Sequence, residues 1–271
     1  MNTPEGPAFP PGGDTAGPER RITLMDDYGR DDAIMRLRRR AHTWLDVAAG
    51  SAVLDAGCGS GDVAVDLIAG VSPGGLVAAL DSDSNMLGEA ARRAARAGVS
   101  VHLVQGDVTR LGFPDQTFDA CRAERILQHV VEPARAVAEM ARVLRPGGRL
   151  VVIDSDWRTR TWNHPDQQTT SAIVRFIRER RIPSADVGAR LPALLLDAGL
   201  DDVRIRGEVL VQTSPTGEQR ALFPRLVGAA IDEGRIPRRD GVAWLEELTR
   251  LERSGRYLAT LCLYVVAGRR P

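Results

Sequence analysis

The sequence predicts an α/β domain whose sheet is mostly parallel and carries a helical cap. Three observations support this. Between residues 52 and 155, apolar runs alternate with helix-patterned ones, the order that crossover connections between parallel strands require. The runs LVAAL (76–80) and LVVI (150–153) are continuous in apolarity, as expected of strands covered on both faces. The first run leads straight into VLDAGCGSGD (53–62), where three glycines fall within five positions and a helix pattern follows.

In order along the chain, residues 1–20 (MNTPEGPAFPPGGDTAGPER) are rich in Pro and Gly with little to bury, and are expected to form a disordered leader. From Ile22 to Ala49 the pattern is helical, with Ile34, Leu37, Ala41 and Leu45 at three-to-four spacing. Then come a strand at AVLDAG, a helix from Asp62, a strand at GLVAALD, a helix from Asn85, strands at VHLVQGD and FDACRAE, a helix from Pro133, and a strand at RLVVIDSD. Gly98, the SPGG at 72–75 and the RPGGR at 145–149 punctuate the series. Residues 156–182 and 216–256 read as helices with broad polar faces. Between them ARLPALLLDAGLDDVRIRGEVLVQ reads as a helix and a strand, and YLATLCLYVVAGRR closes the chain as a β-rich run. The expected organisation is a single domain over 21–271, with a core of about 45–155, 186–213 and 257–271 and a cap of about 156–185 and 214–256.

Charge narrows the partner. The 271 residues contain 36 Lys and Arg against 36 Asp and Glu, so no net positive field draws nucleic acid or an anionic membrane. A small molecule is the expected partner, and a homodimer is open. No apolar run approaches the ~20 residues that span a bilayer, and no secretion signal is visible, so the expected location is the cytoplasm. Cys58, Cys121 and Cys262 are far apart in small or apolar contexts, which suits reduced thiols.

A strand, a glycine-rich turn and a helix N-terminus together make a site where bare backbone N–H groups face a polar ligand. Gly57, Gly59 and Gly61 supply it here, but Asp62 stands where a dinucleotide motif has its third glycine. A carboxylate there would repel a pyrophosphate, which disfavours a nicotinamide oxidoreductase. Downstream, the second strand ends in Asp81, placed to accept two ribose hydroxyls, and the third ends beside Asp107. Asp55, Gly57, Asp81, Asp107 and the segment after Cys121 all fall at the C-terminal rim where open α/β sheets bind ligands.

VLDAGCGSG, ALDSDSNML, QGDVTRLGFPDQTFD and LQHVVEPARAVAEMARVLRPGGRLVVID resemble the core of class I S-adenosylmethionine-dependent methyltransferases, in particular the small-molecule branch that includes the ubiquinone and menaquinone C-methyltransferases. The resemblance implies a Rossmann-like, seven-stranded sheet with its last strand antiparallel, TLCLYVVAG being inserted near the edge. It implies S-adenosyl-L-methionine as cofactor and S-adenosyl-L-homocysteine as product. Asp55, Gly57 and Gly59 would lie against the methionine part, Asp81 would grip the ribose, and Asp107 and Val108 would border the adenine. Ser82, Met86, Gly106 and Glu124 would complete that site, with Tyr28 closing over it.

Methyl transfer from an activated sulfonium needs mainly an aligned nucleophile and exclusion of water. His129, in RILQHV, is one candidate base, although relatives often carry two histidines here and this chain has Gln128 in the first place. His164 is the second candidate, in DSDWRTRTWNHPDQ with Asp154, Asp156, Trp157 and Trp162. Trp157 and Trp162 are expected to line an acceptor pocket, with Arg125 as a carboxylate clamp. No metal is expected. The reading is methyl transfer to a small apolar metabolite, natural-product-like or quinone-like. Its alternatives are a cofactor-binding protein of the same fold that catalyses a non-methylating reaction such as cyclisation, and a protein or nucleic-acid methyltransferase, disfavoured by the zero net charge.

Overall fold

The computed structural model describes residues 17–271; residues 1–16, most of the expected leader, lie outside it. Helix α1 (Pro18–Gly29) starts inside the segment expected to be leader, with Pro18 in its first turn, a position where the missing N–H costs nothing. The single helix expected over Ile22–Ala49 is two helices. Asp31 caps α2 (Asp32–Leu45) by accepting from Ala33 N at 2.8 Å, and this cap starts a new helix where the old one ends. Ile34, Leu37, Ala41 and Leu45 form the buried face of α2.

The strands are β1 (Ala52–Ala56), β2 (Leu76–Asp81), β3 (His102–Gln105), β4 (Phe118–Glu124), β5 (Leu144–Trp162), β6 (Asp201–Gln212) and β7 (Ala259–Arg269). They form one seven-stranded sheet in the order β3-β2-β1-β4-β5-β7-β6. β1 to β5 pair in parallel, while β7 runs antiparallel between β5 and β6. The order reverses between β1 and β4, which places a crevice at their C-terminal ends. The crossover helices are α3 (Asp62–Val71), α4 (Ser84–Ala97), α5 (Pro133–Val143) and α7 (Val187–Asp197). Each sheet face carries its own core. Leu54, Cys121 and Val152 pack with α5 and α7 on one side, and Val53, Val77 and Val151 pack with α2 and α3 on the other.

The start of the cap differs from expectation. Residues 156–162 continue β5, paired to β7 through Asp156 opposite Cys262 and, after an irregularity, Trp162 opposite Ala259. Their Thr and Trp content suits a pleated ribbon better than a helix. The cap helices are α6 (Gln167–Arg181), α8 (Gly217–Asp232) and α9 (Arg238–Arg253). They enclose a third core of Trp162, Phe176, Phe223, Leu226, Trp244 and Tyr257. Trp162 makes edge-on contacts with Phe223 and Trp244, so this core has its own packing. All three cysteines are free. Among the described residues, no helix is long and apolar enough to cross a membrane.

Candidate active site

The glycine turn is built for close approach. Gly57, Gly59 and Gly61 have φ of 76°, 53° and 83°, left-handed values that L side chains resist. Gly57 N and Cys58 N both donate to Leu80 O, at 2.7 and 2.9 Å, and tie the turn to the end of β2. Asp81 is fixed from two sides: Gly59 N donates to one carboxylate oxygen at 2.8 Å and Asp83 N to the other at 2.9 Å. Burial pushes the Asp81 carboxyl up while these N–H bonds oppose it. Asp83 caps α4, accepting from Asn85 N at 2.9 Å.

The end of β3 joins the same rim. Gly106 N donates to Asp81 O at 3.0 Å, and Asp107 turns the chain by accepting from Thr109 N at 2.8 Å. Ser82 is exposed beside them with its carbonyl accepting from Gln105, Met86 is buried, and Val108 packs on the core. Asp55, Gly57, Gly59, Asp81, Ser82, Met86, Gly106, Asp107 and Val108 therefore lie along the adjacent ends of β1, β2 and β3, with α4 beside them. A cleft of about 650 Å³ between α1 and α4, lined by Glu19, Arg20, Asn85 and Arg92 among others, shares no strand-end residue with this rim.

Behind the turn lies a buried charge network that the sequence did not disclose. The Arg122 guanidinium, 2 % exposed, meets Glu124 at 2.6 Å and Asp55 at 3.5 Å. Glu124 is also gripped by Arg38 of α2, at 2.7 to 3.0 Å over three contacts. Desolvation alone would raise the Glu124 carboxyl, but Arg122 and Arg38 outweigh it and hold it down to about 2. Glu124, expected to touch the cofactor, is thus fully engaged in holding α2 to the end of β4. Asp55 keeps one buried carboxylate oxygen without a partner, and burial raises its proton affinity more than Arg122 lowers it.

Helix α1 closes the front. Carbon atoms built on Gly57 and Gly59 would overlap Ile126 and Met25 respectively, so both side chains rest on the bare turn. Arg93 of α4 holds α1 through Asp26 at 3.0 Å and also pairs with Asp62, which gives that residue an ion-pair role. Tyr28, of α1, has its ring 4.8 Å beneath the Arg125 guanidinium, and its hydroxyl accepts from Gln219 of α8 at 2.9 Å.

On the β5 side, the Gln128 side-chain oxygen accepts from Trp157 Nε1 at 2.7 Å and from the Ser155 hydroxyl. That orients its amide nitrogen toward His129 Nε2, at 3.0 Å. His129 is exposed at the surface. Its packed neighbours and the Arg125 charge push the imidazolium down to about 4, so the ring is neutral at physiological pH. Asp154 is fully buried, accepts from Gln128 N at 3.2 Å and Ser155 N at 2.8 Å, and desolvation pushes it up to about 7.

Two expectations are corrected. His164 is not presented to a ligand: Nδ1 accepts from Asp166 N at 3.0 Å, Nε2 faces Trp244 O at 3.2 Å, and the ring stacks on Trp244 at 5.2 Å. Both nitrogens are used inside the cap, so it is no catalytic base. Trp162 is 2 % exposed within the cap core, donating to the Tyr257 hydroxyl at 3.1 Å; it is a wall of that core and not an open pocket residue. Asp156 pairs with Arg158 at 2.7 Å, and among the described residues no His, Cys, Asp and Glu group is arranged to hold a metal.

A family model described as "Methyltransferase domain" matches residues 54–152. An uncharacterised 37.1 kDa protein from transposon Tn4556 of Streptomyces fradiae is 33% identical over 248 residues, 91% of this chain and 70% of that protein. The ubiquinone/menaquinone biosynthesis C-methyltransferase UbiE of Marinomonas sp. (strain MWYL1) is 38% identical over 167 residues, covering 60% of this chain and 63% of its own length. Among solved structures, the [4+2]-cyclase SpnF superposes with a TM-score of 0.53 at 23% identity, over 87% of this chain and 80% of its own, a likeness of fold. The chain belongs to the class I S-adenosylmethionine-dependent methyltransferases. The rim fits the cofactor of such an enzyme. A left-handed glycine turn, a ribose-type acid fixed at the end of β2 and an unpartnered buried oxygen on Asp55 suit a ligand that is cationic at one end and a nucleoside at the other. Arg38, Arg122 and Gln219 also join this region, through pairings across more than 60 residues to Glu124, Asp55 and Tyr28, beside the local Arg122–Glu124 contact and the Thr216–Gln219 capping box.

Proposed function

We propose that this methyltransferase acts on a small, largely apolar metabolite of natural-product or quinone type, enclosed between the strand rim, α1 and the helical cap. The observation that carries this reading is the cap itself. Helices α6, α8 and α9 build an apolar core with Trp162 at the end of β5, and the zero net charge supplies no net positive field for a polymer. In this reading Asp55, Gly57, Gly59, Asp81, Ser82, Met86, Gly106, Asp107 and Val108 hold S-adenosylmethionine, with Glu124 acting from behind through Arg38 and Arg122. Tyr28 and Arg125 close the joint between cofactor and acceptor, and Trp157 borders the acceptor.

When bound, the cofactor supplies a methyl carbon already activated by a sulfonium. The protein's own work is then to orient the acceptor and exclude water, and positioning of this kind contributes ~7–11 kcal/mol. Neither candidate histidine offers a free ring nitrogen in a closed pocket: His164 is committed inside the cap, and His129 meets Gln128 at the surface. We therefore assign the rate to positioning and not to a strong general base. The enzyme is read as cytoplasmic, monomeric or homodimeric. The test is to incubate purified protein with S-adenosylmethionine and a library of apolar metabolites and read products by mass spectrometry. Gain of one CH₂ with matching S-adenosylhomocysteine supports the reading. Turnover only of proteins or nucleic acids contradicts it, and a rearranged, unmethylated product would put the chain with non-methylating members of its fold.

A further inference from the structure

Arg160 lies on the outer part of β5, beyond the sheet's last parallel pairing, and its environment is unlike that of Arg122, the other buried arginine among the described residues, and of the half-buried Arg38. The residue is 7 % exposed. Arg122 and Arg38 each face carboxylates, whereas among the described residues no carboxylate lies within ion-pair distance of Arg160. A guanidinium has five N–H donors in a rigid fork. Here the two terminal nitrogens share a single neutral acceptor, Gln212 Oε1, both at 3.3 Å, and Nε has no partner. Those bonds are long against the 2.7–2.9 Å of charge-assisted ones. Beneath the fork is the Trp162 ring, 4.3 Å from the guanidinium carbon.

An unpaired buried charge is strongly unfavourable unless something supplies the opposite one. Burial lowers the proton affinity of Arg160, and the groups that oppose this are the hydroxyls of Tyr28 and Tyr257 and not a carboxylate. Tyr28 belongs to α1 and lies beneath Arg125, and Tyr257 belongs to the cap core, so Arg160 faces the joint between α1 and the cap. It lies past Asp154 on β5, within the stretch between Asp156 and Thr161 where the pairing with β7 is interrupted.

We propose that Arg160 anchors an anionic group of the methyl acceptor, so that the acceptor joins an apolar or aromatic body to a carboxylate or comparable oxyanion. The planar fork, held over the Trp162 face, suits bidentate pairing with a carboxylate, and the apolar remainder follows from the acceptor class proposed above. This rests on the small-molecule methyltransferase reading above. The same chemistry could come from the cofactor's own carboxylate, and the experiment separates the two sources.

The full chain is saturated with S-adenosylhomocysteine and titrated by calorimetry with benzoate and, in parallel, benzamide, which has the same shape without the charge. The wild type is expected to bind benzoate at least tenfold tighter, and Arg160→Met to bring the ratio to about one with S-adenosylhomocysteine affinity unchanged. Arg160→Lys should retain part of the preference. Equal binding of benzoate and benzamide to the wild type overturns the proposal with no variant needed, and so does a preference that survives in Arg160→Met. A tenfold loss of S-adenosylhomocysteine affinity in Arg160→Met would assign the residue to the cofactor's carboxylate and also overturn it. If S-adenosylhomocysteine does not bind the wild type at all, the methyltransferase reading fails by itself, and the benzoate-to-benzamide ratio measured without nucleoside still decides Arg160.

Discussion

Glu124→Gln tests the buried network behind the glycine turn. The substitution keeps shape and hydrogen-bonding capacity but removes the charge that Arg122 at 2.6 Å and Arg38 at 2.7 Å both face. Two routes give the magnitude. Removing one partner of a buried pair costs about 3–5 kcal/mol, because the other charge is left uncompensated. Independently, the Glu124 carboxyl is held from its ordinary 4.5 down to about 2, which at 1.36 kcal/mol per unit corresponds to about 3 kcal/mol. A depressed carboxyl contributes stability that is present above its unfolded value and lost as pH falls through the folded one. The gap between wild type and variant should therefore be full at pH 7 and close between about pH 4.5 and pH 2. Urea unfolding followed by tryptophan fluorescence at several pH values measures it. A loss below ~1 kcal/mol at pH 7 would place this pair with solvent-screened ion pairs and refute the reasoning.

Asp81→Ala should weaken S-adenosylhomocysteine binding at least tenfold in calorimetry, since hydrogen bonds to a charged group are worth ~1.5–3 kcal/mol each; unchanged affinity would remove Asp81 from the site. Asp154 titrates at about 7 in the fold against an ordinary 3.8. The folded state thus holds an extra proton across that window, and the raised carboxyl takes stability away as pH rises from about 4 to about 7, by up to ~4 kcal/mol. Asp154→Asn should flatten this part of the stability profile, and a variant profile that falls as steeply as the wild type would contradict the assignment. His129→Ala should leave cofactor affinity intact and lower turnover by well under the ~10²-fold typical of a lost general base; a hundredfold loss would restore His129 as the base.

The sequence made legible what is local. Positive φ at Gly57, Gly59 and Gly61 follows from the turn that a strand must make into a helix, and Asp81 and Asp107 follow from where apolar runs end. The seven-stranded sheet was legible through the family motifs, including the insertion of the last strand next to the edge. Long-range pairings were not. Arg38 stands in a run of arginines that reads as a solvated helix face, and only the fold brings it to Glu124, 86 residues away. Residues 156–162 were misread as helix because charged residues interrupt the apolar pattern. Alternating Thr159 and Thr161 between Arg158, Arg160 and Trp162 was the available strand signal. His164 looked like a site residue by its neighbours in sequence, while its partners Trp244 and Asp166 are what decide its role.

The central claim is that the C-terminal rim of β1, β2 and β3 binds S-adenosylmethionine. Calorimetry of the purified full chain, stripped of carried-over nucleoside, with S-adenosylhomocysteine tests it most directly. Saturable, one-to-one micromolar binding is expected of the wild type. No heat of binding from properly folded protein would contradict it.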